Sequence, residues 1–533
     1  MSCTTVLVGK RASNDGSTMI ARTDDGRFDV KKMVVVLPKD QPRKYKSVIS
    51  HAVVELPEEP LRYTACPNVD PKKEGIWAAT GINAANVGMT ATETITSNPR
   101  VLSADPLVKY EKANGRKKEV PGGLGEEDFV VLVLPYIRSA REGVLRLAGL
   151  LEKYGTYESN GIAFNDRDEI WWMETIGGHH WMARKVPDEA VVLAPNQFGM
   201  DSFDLEDAFG EQKAHLCSAD LREFIAENHL DCNQNSGWKN NRNTARPSSA
   251  NQGNIWNSVS NAVQTVAGNQ DKAWNPRDVF GSRGDSDHIY NTPRAWHMGR
   301  YLASRSLRWD GADPRLTPES DDLPWCLVPD RKVAVEDVIY LLSAHYQGTD
   351  FDPYIHRDTG KRGMYRSIGI NRTGVTSICQ IRPEGLCGVE WVAFGSTTFS
   401  AFVPVYPNVP RLPAYLSKVT EDVSTENLYW SSRLLDALSD MAYGETIREV
   451  ERYHSAVLIG GRRRLLETDR RMAAICPDPV KAGPEEAAEL EKIALAANAD
   501  ICQMAKEETT KALGTILQKA SEKMRNGFKL SDN

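Results

Sequence analysis

The sequence predicts an α+β protein in which β-sheets are covered by helices. Three observations carry that expectation. The chain opens on β-branched and apolar runs punctuated by turn residues. A stretch with apolar residues at helical spacing then separates two strand-rich segments. From about residue 420 onward the pattern is helical again.

The first element is a hairpin. Thr4 to Val8 is β-branched and apolar, as a buried strand is, and Thr18 to Thr23 is a second strand-like run. Between them, Ser13-Asn14-Asp15-Gly16-Ser17 is a turn cluster whose Asp-Gly pair favours a tight reversal. Folding about that turn returns Asp24, Asp25 and Gly26 to within a few residues of Cys3. The β-rich texture continues to about residue 110, where "GIWAATGINAANVGMTATETITS" holds two runs around a turn at Asn83 to Asn86. Residues 126–154 read as helical, with Val144, Leu147, Leu150 and Leu151 on one face and Gly155 as the stop. Residues 161–198 return to strands. Trp171-Trp172 within them is expected to split between core and cleft wall. Residues 233–255 are Asn-rich and nearly without aliphatic side chains, so a long surface loop is expected. Residues 366–405 resume β texture. In the last segment Leu490, Ile493, Ala497, Ile501, Met504, Ala512, Ile516, Ala520 and Met524 keep a three-to-four spacing, and Pro484 with the acids after it suits a helix start. That helix is read as packed on the body. The sharper reading makes it a contact between copies of the chain, a homo-oligomer.

Composition narrows the function. The chain has 533 residues, 41% apolar and 26% charged, enough for a sizeable core. A net charge of −7 is small for this length and argues against nucleic acid or an anionic membrane as the main partner. The one dense basic run, Arg462-Arg463-Arg464, is read as a solvated helix face. No basic segment followed by an apolar one opens the chain, and Phe129 to Leu134 falls far short of a membrane span. Nine scattered cysteines with no C-x-x-C pair suggest neither a disulfide framework nor a zinc knuckle, and reduced thiols fit a cytoplasmic setting. His179-His180 lacks the spacing of a metal motif, since neighbours on a strand point to opposite faces. "GLGEED" and "IGGRRR" lack the lysine and spacing of a phosphate-binding loop.

Cys3 has a chemical option open to no other cysteine here. If Met1 and Ser2 are removed, its own α-amine becomes a built-in general base. An α-amine has a reference pKa of about 7.7–8.0 and a thiol about 8.5, close enough to share a proton near neutral pH. A neighbouring arginine favours the thiolate. On position alone, the commoner role of such a residue is a small buried hydrophobe in a strand.

"CTTVLVGKRASNDGSTMIARTDDG" resembles the start of the cysteine dipeptidases of the N-terminal-nucleophile hydrolase superfamily, the dipeptidase A group. The resemblance extends through "LVLPYIRSAREGVLRLAGLLEKYG", "DEIWWMETIGGHHWMARKVPDEAVVLAPNQF", "YNTPRAWHMGRYL" and "VEWVAFGSTTFSAFVPVYPNV", spanning roughly residues 3–410. It implies a four-layer αββα catalytic domain over residues 1–410, with a helical C-terminal region over 411–533 packed upon it. It also implies dipeptide substrates and needs no cofactor or metal. Residue by residue, Cys3 matches the nucleophile, and Arg22 and Asp25 match an R-x-x-D element beside it. Asn196 in "PNQF" matches an oxyanion donor, and Arg294 in "NTPRAWHMGR" an arginine that supports the site. Glu93 falls near a second oxyanion position. An ionised carboxylate cannot donate a hydrogen bond, so a backbone N–H or Thr92 is the expected donor there. Two rival functions remain at this stage: hydrolysis of another N-acyl amide, and a catalytically silent binding protein that keeps its Met-Ser leader.

Overall fold

The structure is a computed structural model that describes residues 2–26, 29–91, 93–232, 274–309, 316–357 and 359–524. The Asn-rich stretch at 233–255 lies outside the described residues. The expected mixture is present: antiparallel sheets together with long C-terminal helices.

The opening hairpin is longer than its apolar run. Strand β1 is Ser2–Val8 and strand β2 is Thr18–Asp25, paired antiparallel with Cys3 opposite Asp24 and Val8 opposite Met19. Gly16 takes the left-handed turn conformation, φ +79°, and Asp15 Oδ1 accepts from Ser17 N at 3.0 Å and Ser13 Oγ at 2.7 Å. The strands therefore run past the hydrophobic stretch and carry Cys3, Arg22, Asp24 and Asp25 inside a regular ladder. In the seven-stranded first sheet, β1 lies between Val191–Ala194 and β2. Cys326–Leu327 lies beyond Val191–Ala194, and Val375–Ile381, Val389–Phe394 and Val403–Val405 follow β2. The second sheet is built around Asn160–Asn165, Ile170–Thr175 and Trp181–Lys185, with Glu93–Thr94 pairing off its main path.

Alternation along these strands sorts their side chains into three apolar clusters. Leu7, Ile20, Cys379 and Ile381 of the first sheet meet Ala163, Ile170, Trp172 and Met182 of the second. On the other face of the first sheet, Val6, Val8, Met19, Ala21 and Trp391 pack with Trp296, Leu341, Leu435, Tyr453 and Ile501 from helices. On the outer face of the second sheet, Phe164, Trp171 and Met173 pack with Phe129, Val144, Leu147 and Leu151. Burial on both faces explains why the strands read as nearly continuous apolar runs. It also corrects the reading of the tryptophan pair: Trp171 and Trp172 face opposite ways, yet both are core and neither lines a cleft.

The helical segment at 126–154 is interrupted. Phe129–Val133 passes through a tight turn, Leu134–Tyr136, before Ala140–Tyr154 begins, because Pro135 has no N–H to continue the ladder. Ser139 caps the second helix through Glu142 N at 3.2 Å, and Gly155 ends it at φ +69°. At the C-terminal end, Leu428–Met441, Tyr443–Ala473 and Pro484–Ser521 cover the first sheet. The apolar stripe on Pro484–Ser521 stays buried to Ile516, whereas Met524 is exposed. The basic run is not simply solvated. Arg462 pairs with Glu336 and Arg464 with Asp500, acids that neighbouring helices bring alongside. Among the described residues no helix is long and apolar enough to cross a membrane.

Candidate active site

The pleat of the hairpin decides what surrounds the cysteine. Cys3 is opposite Asp24, so their side chains share one face of the sheet, and Arg22, two residues before Asp24, shares it too. Arg22 Nη2 donates to Cys3 Sγ at 2.9 Å. The same nitrogen donates to Glu126 Oε1 and lies 3.5 Å from Asp24 Oδ1. Asp24 Oδ2 is 2.9 Å from Lys31 Nζ. All five side chains are buried. Burial alone lowers the Arg22 pKa, but the charges of Cys3, Glu126 and Asp24 outweigh it and hold the guanidinium well above its ordinary value. Burial likewise pushes Asp24 up, while Lys31 and Arg22 bring it below the usual carboxylate range.

Two backbone carbonyls are aimed at these cations by unusual conformations. Trp77 and Ala79 both have positive φ, 45° and 57°. The Trp77 carbonyl accepts from Lys31 Nζ at 3.0 Å and the Ala79 carbonyl from Arg22 Nη1 at 3.3 Å. Non-glycine residues held there cost of order 1–3 kcal/mol each, and such strain clusters at functional sites.

The backbone of Cys3 is held from the other side. Asn196, in the loop after Val191–Ala194, accepts from Cys3 N at 3.0 Å through Oδ1, and its Nδ2 donates to the Thr94 carbonyl at 2.9 Å. Arg294 lies in the helix Thr292–Leu302 and is fully buried. It donates to the Cys3 carbonyl, to Thr4 Oγ1 at 2.7 Å, to Asn196 Oδ1 at 2.8 Å and to Asn291 Oδ1 at 2.9 Å. A planar guanidinium with a fork of donors suits this clamp, which an ammonium could not reproduce.

Asp25 points to the face that carries Thr4 and Thr23, away from Arg22. Its carboxylate accepts from Arg366, from Thr373 Oγ1 at 2.6 Å and from Thr23 Oγ1 at 3.0 Å. The acid beside the Cys3 sulfur is therefore Asp24, while Asp25 faces Ser2 across the hairpin register. Thr92 and the side chain of Glu93 lie outside the described residues.

Sequence reading brings Asp24 near Cys3 without giving it a role, and does not reach Lys31, Glu126, Asn291 and Arg366. Asp24 was within reach, because strict alternation already puts it on the face of Arg22. Glu126 belongs to "GLGEED", which the sequence offers as a rejected phosphate loop and as the start of a helical segment, with no site role. Three acids abutting the apolar run "FVVLVL" were the available signal of buried carboxylates. Glu126 N donates to Glu158 Oε1 at 2.7 Å, and burial together with the Glu126 charge pushes the Glu158 carboxyl up to about 7. His179 and His180 both turn to Asp105, with His180 Nδ1 2.7 Å and His179 Nδ1 3.2 Å from its oxygens.

Ligand-type atoms of Cys3, Asp24 and Glu126 all lie within 4.8 Å of one another, as a metal site would require. The donor set does not fit a metal. Arg22 Nη2 already stands among them, bonded to the sulfur and to Glu126 Oε1, so no single ion can take all three as ligands. What the arrangement can do is hold a sulfur nucleophile beside a permanent cation, with its backbone nitrogen and carbonyl fixed by an amide and a second guanidinium.

Comparison with known proteins bears on this geometry. The sequence profile of peptidase family C69 matches residues 2–456. The chain is 47% identical to a "dipeptidase" of Bifidobacterium longum, covering all of both chains. It is 44% identical to a "probable dipeptidase A" of Streptococcus pyogenes serotype M18, over 100% of this chain and 98% of that one. To "dipeptidase A" of Lactobacillus helveticus it is 41% identical, over 83% and 82%.

Proposed function

Since the chain belongs to peptidase family C69, we propose that it is a cysteine dipeptidase whose nucleophile is Cys3. The observation that carries the reading is the pair of contacts on one residue: Arg22 Nη2 at 2.9 Å from Cys3 Sγ, and Asn196 Oδ1 at 3.0 Å from Cys3 N. The relatives' names favour dipeptides over other N-acyl amides as substrates.

Removal of Met1 and Ser2 turns the Cys3 nitrogen into an α-amine at a position where Asn196 already holds it. The thiol proton passes to that amine, and Sγ attacks the peptide carbonyl. Arg22 favours the thiolate electrostatically. The oxygen of the tetrahedral adduct takes its negative charge beside the Asn196 amide, the proposed donor. Collapse of the adduct breaks the C–N bond, and the α-ammonium returns its proton to the leaving amine. The remaining thioester is hydrolysed by water with the α-amine again as base, which releases the second amino acid and restores the thiol. Arg294 positions Cys3 and Asn196 together. Asp25, opposite Ser2 in the register, is the proposed partner of the new α-ammonium.

The same reading assigns residues 1–410 to a four-layer αββα body of the N-terminal-nucleophile type, with residues 411–533 as its helical cover. The three apolar clusters, one between the sheets and one outside each, support it. The test is the mass and N-terminal sequence of purified protein, taken with dipeptide hydrolysis by wild type and Cys3→Ala. An active enzyme whose first residue is Ser2 would rule out the free-amine mechanism.

A further inference from the structure

We propose that Glu126, assisted by Asp24, is the subsite that recognises the free α-ammonium of the substrate's N-terminal residue. The inference rests on the reading of Cys3 as the nucleophile of a dipeptidase.

The first argument is one of reach. In a dipeptide a single Cα separates the α-nitrogen from the scissile carbonyl carbon, a distance of roughly 2.5 Å from standard bond lengths and angles. A sulfur in attacking position stands about 3–3.5 Å from that carbon. An ammonium–carboxylate hydrogen bond adds about 2.8 Å. Whatever binds the ammonium must therefore lie within a few ångströms of the sulfur. Carboxylate oxygens of Asp24 and Glu126 meet that condition, within 4.8 Å of Cys3 Sγ and of each other.

The second argument is an unsatisfied acceptor. Glu126 is 1% exposed, and its Oε2 has no hydrogen-bond partner, while Oε1 takes the Arg22 bond. Asp24 Oδ1 also accepts no hydrogen bond. Buried carboxylate oxygens without donors are costly and call for an explanation. An ammonium, which carries three donors and no acceptor, satisfies both.

The third argument is charge. On the sulfur side, Arg22 and Lys31 balance Asp24 and Glu126. Passing the thiol proton to the Cys3 α-amine conserves the charge of the site as a whole but leaves the sulfur side one negative charge in excess. A substrate ammonium neutralises it, whereas an acylated or desamino substrate brings nothing. A site built this way rejects the analogue through the groups it leaves unpaired.

The experiment uses the mature full-length enzyme and the dipeptide it cleaves best from a panel. The comparison is kcat/KM for that dipeptide against its desamino analogue, which lacks only the α-amine. The wild type is expected to prefer the dipeptide by about 10²-fold or more, and Glu126→Gln to cut that ratio by about tenfold or more, the worth of a charge-assisted hydrogen bond. An unchanged ratio in Glu126→Gln overturns the proposal, as does a wild type that takes both substrates within about threefold. A second measurement needs no variant: L-alaninamide is expected to protect Cys3 from iodoacetamide at concentrations where propionamide does not. Equal protection overturns the assignment. Dipeptide hydrolysis that survives Cys3→Ala instead refutes the underlying reading, and shows itself before any ratio is compared.

Discussion

Replacing Asn196 tests the two ends of one side chain separately. Its Oδ1 accepts from Cys3 N and Arg294 Nη2, and its Nδ2 faces the Thr94 carbonyl as the donor end. Asn196→Asp keeps the acceptor and removes the donor. Asn196→Ala removes both. If the amide N–H stabilises the oxyanion, Asn196→Asp should lower kcat by about 10²–10³, the usual worth of such a donor. Cys3 N and Arg294 keep an oxygen to bond, but the second carboxylate oxygen then faces the Thr94 carbonyl, so the fold should survive with some loss of stability. Asn196→Ala should lose activity to a similar extent and stability as well. Arg294 Nη2 still has Asn291 Oδ1 at 2.9 Å, so the structural loss is the bond from the Cys3 nitrogen and the bond to the Thr94 carbonyl. Buried hydrogen bonds of this kind contribute about 0.5–1.5 kcal/mol each. The assay pairs steady-state kcat and KM on the best dipeptide with the urea midpoint of each variant, after mass spectrometry confirms that Cys3 is the first residue. A kcat for Asn196→Asp within about threefold of wild type would falsify the oxyanion role and leave Asn196 as a support for the Cys3 nitrogen.

Two further expectations concern the Cys3 site and a third the core. Cys3→Ala should retain Ser2 and be inactive, checked by N-terminal sequencing; loss of Ser2 in that variant would mean that the thiol does not carry out its own release. Activity and Cys3 alkylation by iodoacetamide should rise together with pH, because only the thiolate reacts, and EDTA should change neither, because Arg22 already supplies the positive charge at the sulfur; inhibition by EDTA that zinc reverses would contradict this. Glu390 tests the buried core. It is fully buried opposite Cys379, accepting from Thr64 and Ser377, and burial pushes its carboxyl up to about 7. A folded-state pKa above the unfolded one means that this stability is fully present below the unfolded value, about 4.3, and is lost as pH rises through about 7. At about 1.4 kcal/mol per pH unit the difference is roughly 4 kcal/mol. Glu390→Gln should flatten the decline in denaturation midpoint between pH 5 and 8, and an unaltered slope would assign the pH dependence to other acids.

How much of this was legible in the sequence depends on how far apart the partners lie along the chain. The hairpin was legible because its information is local: β-branched residues on either side of an Asp-Gly turn specify two strands and their register without help from elsewhere. Register then settles what the residue types left open. Arg22 and Asp25 look like one element when counted along the chain, but a pleated strand puts residues three apart on opposite faces. Asp24 therefore stands beside the sulfur, and Asp25 beside Thr4 and Arg366. The break at Pro135 was equally local and equally available. Glu126 was not legible in this way. It sits 104 residues from Arg22 in sequence, and the two meet only because the second sheet and its helices pack against the first. No periodicity in "GLGEED" says which buried cation those acids will meet. The same holds for Arg294, 291 residues from the carbonyl it grips. A division of labour follows. The hairpin alone presents Cys3 and Arg22 on one face, and the long-range packing delivers the carboxylates and the clamp around them. Substitutions in the hairpin register, such as inserting one residue between Gly16 and Arg22, should therefore abolish activity outright by turning Arg22 to the wrong face, whereas substitutions among the distant partners should grade it.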